Sequence, residues 1–200
     1  VSGTENLAPL RRAAERLRKA EAERNRMLRA MRAQNTSIPK LSEAADLSVG
    51  KVHSLTKPSR IVSIGYEGRT VDVFMSSLIE AGVGVLVDVR ENAISRKPGF
   101  SKKALSARCE AEGIEYVHEP SLGNPRSNRD DFRAGTSESR EVFTEHMSLG
   151  GHAALDRVVE QLKSRTVALL CFEADQCQCH RSLVAEALLR RDPLASVLQA

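Results

Sequence analysis

The 200-residue sequence predicts a three-layer α/β domain with a doubly wound, mostly parallel sheet over residues 60–200, preceded by an all-α helix-turn-helix module over residues 1–57. Three observations predict it. Apolar residues recur at helical steps between Pro9 and Ala33. Four later runs rich in Val, Ile and Leu alternate with helical stretches, the pattern of a parallel sheet covered on both faces. Charge divides at the same place: residues 1–60 carry 13 Lys/Arg against 6 Asp/Glu, and residues 61–200 carry 17 against 20. A cationic module on a mildly acidic body is the distribution expected when one part meets phosphate backbones. With 41% hydrophobic and 28% charged residues, wholesale disorder is excluded. No apolar run reaches the roughly 18–20 residues needed to cross a bilayer. Val1 to Leu10 also lack a basic-then-apolar signal pattern, so a cytoplasmic protein with no membrane partner is expected.

In the first module, Leu10, Ala13, Ala14, Leu17, Ala20, Met27, Leu28 and Met31 draw one apolar stripe along a long helix whose other faces carry arginine. Thr36 or Ser37 can cap a short second helix that turns Leu41, Ala44 and Ala45 inward. Asp46-Leu47 makes a turn, and Ser48 can cap a third helix that buries Val49, Val52 and Leu55. Two short helices joined by a tight turn resemble a DNA-reading helix-turn-helix over residues 24–57, with Asp46 where glycine is commoner. On that reading Lys51, His53 and Ser54 face DNA, and Arg24, Arg26 and Arg29 are positioning charges. A helical interaction or dimerisation arm is the alternative. Thr56-Lys57-Pro58-Ser59-Arg60 reads as the linker.

In the second region, Arg60–Gly65 predicts a strand, Val71–Ala81 a helix and Val83–Arg90 a strand buried on both faces. Ser101–Glu112 reads as a helix and Ile114–Val117 as a third strand. Glu138–Ser164 supplies one or two helices broken at Gly150-Gly151, before a fourth strand at Thr166–Phe172 and a closing helix at Arg181–Arg191. Polar residues gather where the strands end: Tyr66 and Glu67, then Asp88 and Arg90, then Glu173 with Cys179-His180-Arg181. Ligands of such sheets bind at those carboxyl ends.

Ser63-Ile64-Gly65-Tyr66-Glu67-Gly68, Asp88-Val89-Arg90, Ser95-Arg96-Lys97-Pro98-Gly99-Phe100, Gly113-Ile114-Glu115-Tyr116, Leu122-Gly123 and Leu170-Cys171-Phe172-Glu173 through Cys179-His180-Arg181 together resemble the domain-of-unknown-function 488 family, over about residues 60–191. The resemblance implies an α/β fold and an active-site-like cluster. It carries over onto Gly65, Tyr66, Asp88, Arg90, Ser95, Phe100, Cys171, Glu173, Cys179, His180 and Arg181, and leaves out Cys109 and Cys177.

Asp88, Glu173 and Glu67 have the chemistry of a general base or of a shield for a cationic transition state. Arg90, Lys97, Lys102 and Arg181 can hold phosphate. Tyr66 and Phe100 offer flat faces for a base. With a DNA-binding module attached, these residues point to an enzyme acting on a flipped nucleotide, most concretely a DNA glycosylase. There Asp88 activates water, Tyr66 stacks the base, and Arg90 and Arg181 grip phosphates, with Ser95, Lys97, Phe100, Cys171, Cys179 and His180 completing the substrate site. The alternative is a one-component regulator whose α/β domain senses a small molecule or oxidant. The spacing C-x5-C-x-C-H lacks paired C-x2-C knuckles, so neither a metal nor another cofactor is expected, although soft-metal binding, a reactive thiolate and a purely structural role all remain open for these cysteines. His118, His146 and His152 read as surface or partly buried residues.

Overall fold

The computed structural model describes residues 7–200; the six preceding residues, part of the expected 1–57 module and of the segment read for a signal pattern, lie outside the described residues. The described chain divides into two compact units, one comprising residues 7–57 with Asp192–Leu194, the other Pro58–Arg191 with Ala195–Ala200.

The first unit holds α1 (Ala8–Ala33), α2 (Ile38–Ala45) and α3 (Val49–Leu55). Pro9 and Pro39 sit in the first turns of α1 and α2, where a missing N–H costs nothing. Asp46 adopts the left-handed conformation (φ 51°, ψ 48°) that ends α2, which its short polar side chain tolerates. Ser48 caps α3 by accepting from the Lys51 N–H at 3.2 Å, whereas Ser37 precedes α2 without a side-chain cap bond. Leu28, Leu41 and Val52 form the core, with Ile38, Ala45, Leu47 and Leu55 packed against it.

The expected apolar stripe on α1 is not a buried one. Of its members only Leu28 is buried; Leu10, Leu17, Met27 and Met31 are exposed. At about 1.5 Å per residue, helices of eight and seven residues cover only the last turns of a 26-residue helix. Ala44 and Val49 are likewise exposed rather than inward. Arg29, expected as a positioning charge, is consumed internally. Its Nε and Nη2 donate to the Asp192 carboxylate at 2.7 and 2.9 Å, and Nη1 donates to the carbonyls of Leu55 and Lys57.

The second unit runs β1 (Ser59–Gly65), α4 (Val71–Glu80), β2 (Val83–Asp88), α5 (Lys102–Ala111), β3 (Glu115–His118), two 3-10 turns, α6 (Arg129–Arg133), α7 (Ser137–Gly150), α8 (His152–Leu162), β4 (Thr166–Cys171), a third 3-10 turn, α9 (Arg181–Arg191) and β5 (Ala195–Gln199). All strand pairs are parallel, in the order β3-β2-β4-β1-β5. Alternate residues feed two cores. Val62, Ile64, Leu86, Ala168 and Leu170 pack on α4 and α5 through Phe74, Met75, Leu78, Leu105 and Cys109. Ile61, Val85, Val87, Val167 and Leu169 pack on the opposite helices through Phe143, Met147, Leu155, Val158, Val184 and Leu188. These are the three layers of a doubly wound sheet.

Two features had no counterpart in the sequence reading. β5 is an edge strand whose residues are half-buried or exposed, so it lacks the continuous apolar run of its neighbours. α6 is five residues long, too short for a periodic signal.

Candidate functional site

β1, β2 and β4 are neighbours in the sheet, so the residues that follow them meet at one edge. Gly65 makes this possible: a Cβ there would lie 1.9 Å from the Glu173 carbonyl oxygen, so only glycine lets the chain after β4 pass over the end of β1. Backbone pairing continues past the strands, with the Glu67 N–H donating to the Phe172 carbonyl at 2.9 Å.

Asp88, at the end of β2, is fully buried. Its Oδ1 accepts from the Arg90 Nε (2.8 Å) and backbone N–H (3.1 Å), and its Oδ2 accepts from Arg90 Nη2 and the Tyr116 hydroxyl, both at 2.5 Å. The carboxylate is spent on the protein, so the expected water-activating role of Asp88 is not available to it in this arrangement. Arg90 is spent likewise: Nη1 donates to the Tyr66 hydroxyl (3.1 Å) and the Phe100 carbonyl (3.0 Å). Burial opposes its charge, but the Asp88 carboxylate outweighs burial and holds the guanidinium pKa above its usual value. Tyr66 stacks on Phe100 with centroids 4.3 Å apart and meets the edge of Phe172. Phe100 is itself fully buried and takes Phe74 at its edge. The flat faces expected to receive a base are therefore already covered by protein.

Burial first, then the Asp88 charge, pushes the Tyr116 phenol above its usual range. A raised folded-state pKa means that its stabilising contribution is whole below about pH 10, the unfolded value, and is lost as pH rises toward the folded one. Of the two tyrosines, Tyr116 is expected to show no tyrosinate absorbance near pH 10 while the protein stays folded. Ionisation there, followed by loss of the Tyr116→Phe difference spectrum, would place the phenol in an ordinary environment.

Glu173, Cys171, Cys179 and His180 form a second cluster beside this network. Glu173 is half-buried. Its Oε1 accepts from Arg133 Nε and Nη2 at 3.3 and 3.2 Å, and its Oε2 from the Cys171 thiol at 3.2 Å. His180 Nδ1 lies 3.9 Å from Cys171 Sγ and 3.8 Å from Cys179 Sγ, while Nε2 meets the Val89 carbonyl at 3.0 Å. Arg181 opens α9; its Nε donates to Cys179 Sγ at 3.3 Å and its Nη2 to the Glu173 carbonyl at 2.5 Å. The thiols divide. Cys179, with its Cys171 hydrogen bond first, then burial and Glu173, pushes Cys171 well above the usual thiol range. Burial works against a Cys179 thiolate, but Cys171, His180 and Arg181 together pull its pKa well below that range. Burial also opposes a charged His180, which the neighbouring Cys179 outweighs. Arg181 is buried and engaged with protein atoms, so the expected phosphate grip has no free fork to use, although Nη1 has no partner among the described residues.

Glu173, Cys171, Cys179 and His180 line a cavity of about 200 Å³. Tyr66, Arg90, Glu91, Asn92, Asn124, Arg129, Arg133 and the Phe172 ring also line it. Of these, the sequence singles out only Tyr66 and Arg90. Arg129 and Arg133 stand one turn apart on α6 and Asn124 directly follows Leu122-Gly123, so two arginines four residues apart after that dipeptide were the available signal. Phe172 is 39% exposed, which makes it the aromatic surface open to a ligand here. Other expected residues fall outside this cavity's lining. Glu67 accepts from the Ala174 N–H, Ser95 Oγ accepts from the Lys97 N–H, and Lys97 Nζ donates to the Tyr66 carbonyl beside the Phe100 ring. Lys102 Nζ meets Nδ1 of the half-buried His118. His146 lies beside the Phe143 ring, and Nδ1 of the exposed His152 meets Arg191.

The profile of the family described as "Domain of unknown function DUF488" matches residues 70–188. The chain belongs to the DUF488 family. Within the match lie Asp88, Arg90 and the whole Cys171–Arg181 cluster, so the cavity of this DUF488 domain is built almost wholly from the family's own segment. No curated protein and no solved structure matches the chain. Among the described residues no helix is long and apolar enough to cross a membrane.

Proposed function

We propose that this DUF488 protein is a DNA-binding enzyme that hydrolyses a bond at a nucleotide, with cleavage of an N-glycosidic bond as its concrete form. The observation that carries the reading is Glu173: a carboxylate in a cavity with guanidinium groups around it and an open aromatic ring beside it. Glu173 takes the general-base role that the buried ion pair denies to Asp88. Arg129 and Arg133 supply positive charge for a flanking phosphate. Phe172, in place of Tyr66, is the surface on which an extruded base stacks. The cavity is smaller than the roughly 300–1,000 Å³ of pockets for drug-sized ligands, which suits a single base better than a dinucleotide. Enzymes that act on a base in duplex DNA flip it into such a pocket.

The reading of DNA as the partner is supported by the first unit, where Lys51, His53 and Ser54 are exposed on α3 immediately after the capped turn. Their exposure supports reading α3 as the helix that meets a DNA groove. Lys51→Ala is expected to weaken binding about equally for all duplexes and to lower the salt slope by about 1, read by fluorescence anisotropy at several salt concentrations. An unchanged slope assigns the module to protein contacts. The reaction is tested by incubating the protein with duplex and single-stranded oligonucleotides carrying varied base modifications and weighing the products. Loss of a base supports the proposal; tight binding with no mass change on any substrate identifies a sensor-regulator instead.

A further inference from the structure

We infer that Cys171 Sγ, Cys179 Sγ and His180 Nδ1 form a three-ligand site for a divalent transition metal of the zinc class, with its fourth position open to the cavity beside Glu173. The inference goes beyond the proposed reaction and stands on geometry alone. The three atoms all lie within 4.8 Å of one another, and the two sulfur–nitrogen distances are 3.8 and 3.9 Å. Bonds of about 2.3 Å to sulfur and 2.0–2.1 Å to nitrogen at a tetrahedral angle put sulfur and nitrogen about 3.6 Å apart, so both sulfur–nitrogen pairs need only a few tenths of an ångström of closure.

The surroundings are those of a ligand set. Val89 offers a carbonyl, which can only accept, so His180 Nε2 carries the proton and in the neutral ring the Nδ1 lone pair faces both sulfurs. A backbone carbonyl on the far nitrogen is how metal-bound histidines are oriented. Arg181 Nε donates to Cys179 Sγ, as such supporting bonds do for thiolate ligands. Three protein ligands with the remaining position facing a cavity describe a catalytic rather than a closed structural site. A bound zinc ion would polarise a water or substrate oxygen there, next to the Glu173 carboxylate.

The linear spacing hides this arrangement. Of the three cysteines in that spacing, Cys177 is exposed, whereas Cys171 at the end of β4 and Cys179 are buried. Cys179 and His180, adjacent in the chain, both face Cys171 because Cys179 is extended (φ −123°, ψ 138°) just before α9 begins.

The test uses the full chain, reduced and stripped of metal, then titrated with zinc against a chromophoric chelator and separately with cobalt(II). We expect one equivalent per chain, with thiolate-to-cobalt charge-transfer and tetrahedral d–d absorption. Cys171→Ser and Cys179→Ser should each weaken binding by more than about 100-fold, beyond the losses typical of supporting residues. Cys177→Ser should leave affinity unchanged. Sub-stoichiometric uptake, an octahedral cobalt spectrum, or equal losses from all three variants would overturn the site, as would a Cys171–Cys179 disulfide that re-forms in place of metal uptake. The wild-type cobalt spectrum needs no variant to fold. Metal content is read without turnover, so its failure is distinct from failure of the proposed reaction.

Discussion

Replacing Asp88 by alanine is expected to destabilise the protein by about 3–5 kcal/mol, measured as the shift in urea unfolding followed by circular dichroism. The size comes from what is left behind. Arg90 loses the carboxylate that binds its Nε and Nη2, and the guanidinium stays buried with only a hydroxyl and a carbonyl on Nη1. Tyr116 loses its acceptor in the same step. Breaking a buried pair costs more than the pair contributes, because an uncompensated charge remains in a low-dielectric interior. Asp88→Asn should fall between, keeping shape and one acceptor while losing the charge. A loss under about 1 kcal/mol for the alanine variant would show that Arg90 swings to solvent through the cavity, and would recast Arg90 as a ligand-facing cation.

Glu173→Gln is expected to lower turnover about 10²–10⁴-fold on whichever oligonucleotide proves reactive, the span that positioned acid–base groups contribute. The amide keeps the carbonyl that Arg133 binds and removes the basic oxygen that accepts from the Cys171 thiol, so the melting temperature should move little. Substrate binding, read by anisotropy with the reactive oligonucleotide, should stay within a few-fold of wild type. The decisive comparison is between rate and affinity. A variant that binds and reacts as well as wild type would remove Glu173 from the chemistry, whereas a loss of binding with turnover intact at saturation would make it a contact for substrate.

The fold was largely legible because its signals are local. Val83 to Asp88 reads as a strand buried on both faces since no polar residue interrupts it, and β2 lies in the sheet between β3 and β4. Ser48 reads as a cap because a side-chain oxygen three residues before the Lys51 N–H has few other uses. The site was legible as a place and less so as a set of roles. Glu173, Cys171, Cys179 and His180 do line the cavity. Asp88, equally prominent at a strand end, turns out to be the partner of Arg90, and Tyr66 lines the cavity but is stacked on Phe100. Nothing in a sequence distinguishes a carboxylate that lines a cavity from one aimed two residues along its own chain.

Residue order alone, through periodicity and punctuation, determined that a helical segment precedes alternating strands and helices, and that polar side chains collect where strands stop. Those are properties of neighbours along the chain, set by backbone geometry over a few residues. Tertiary structure decided which of those side chains are neutralised and which remain open. His180 reaches the Val89 carbonyl across 91 positions only because β2 and β4 are paired side by side. Burial, which depends on everything packed around a group, then turned one carboxylate into an internal counter-ion and left the other facing a cavity.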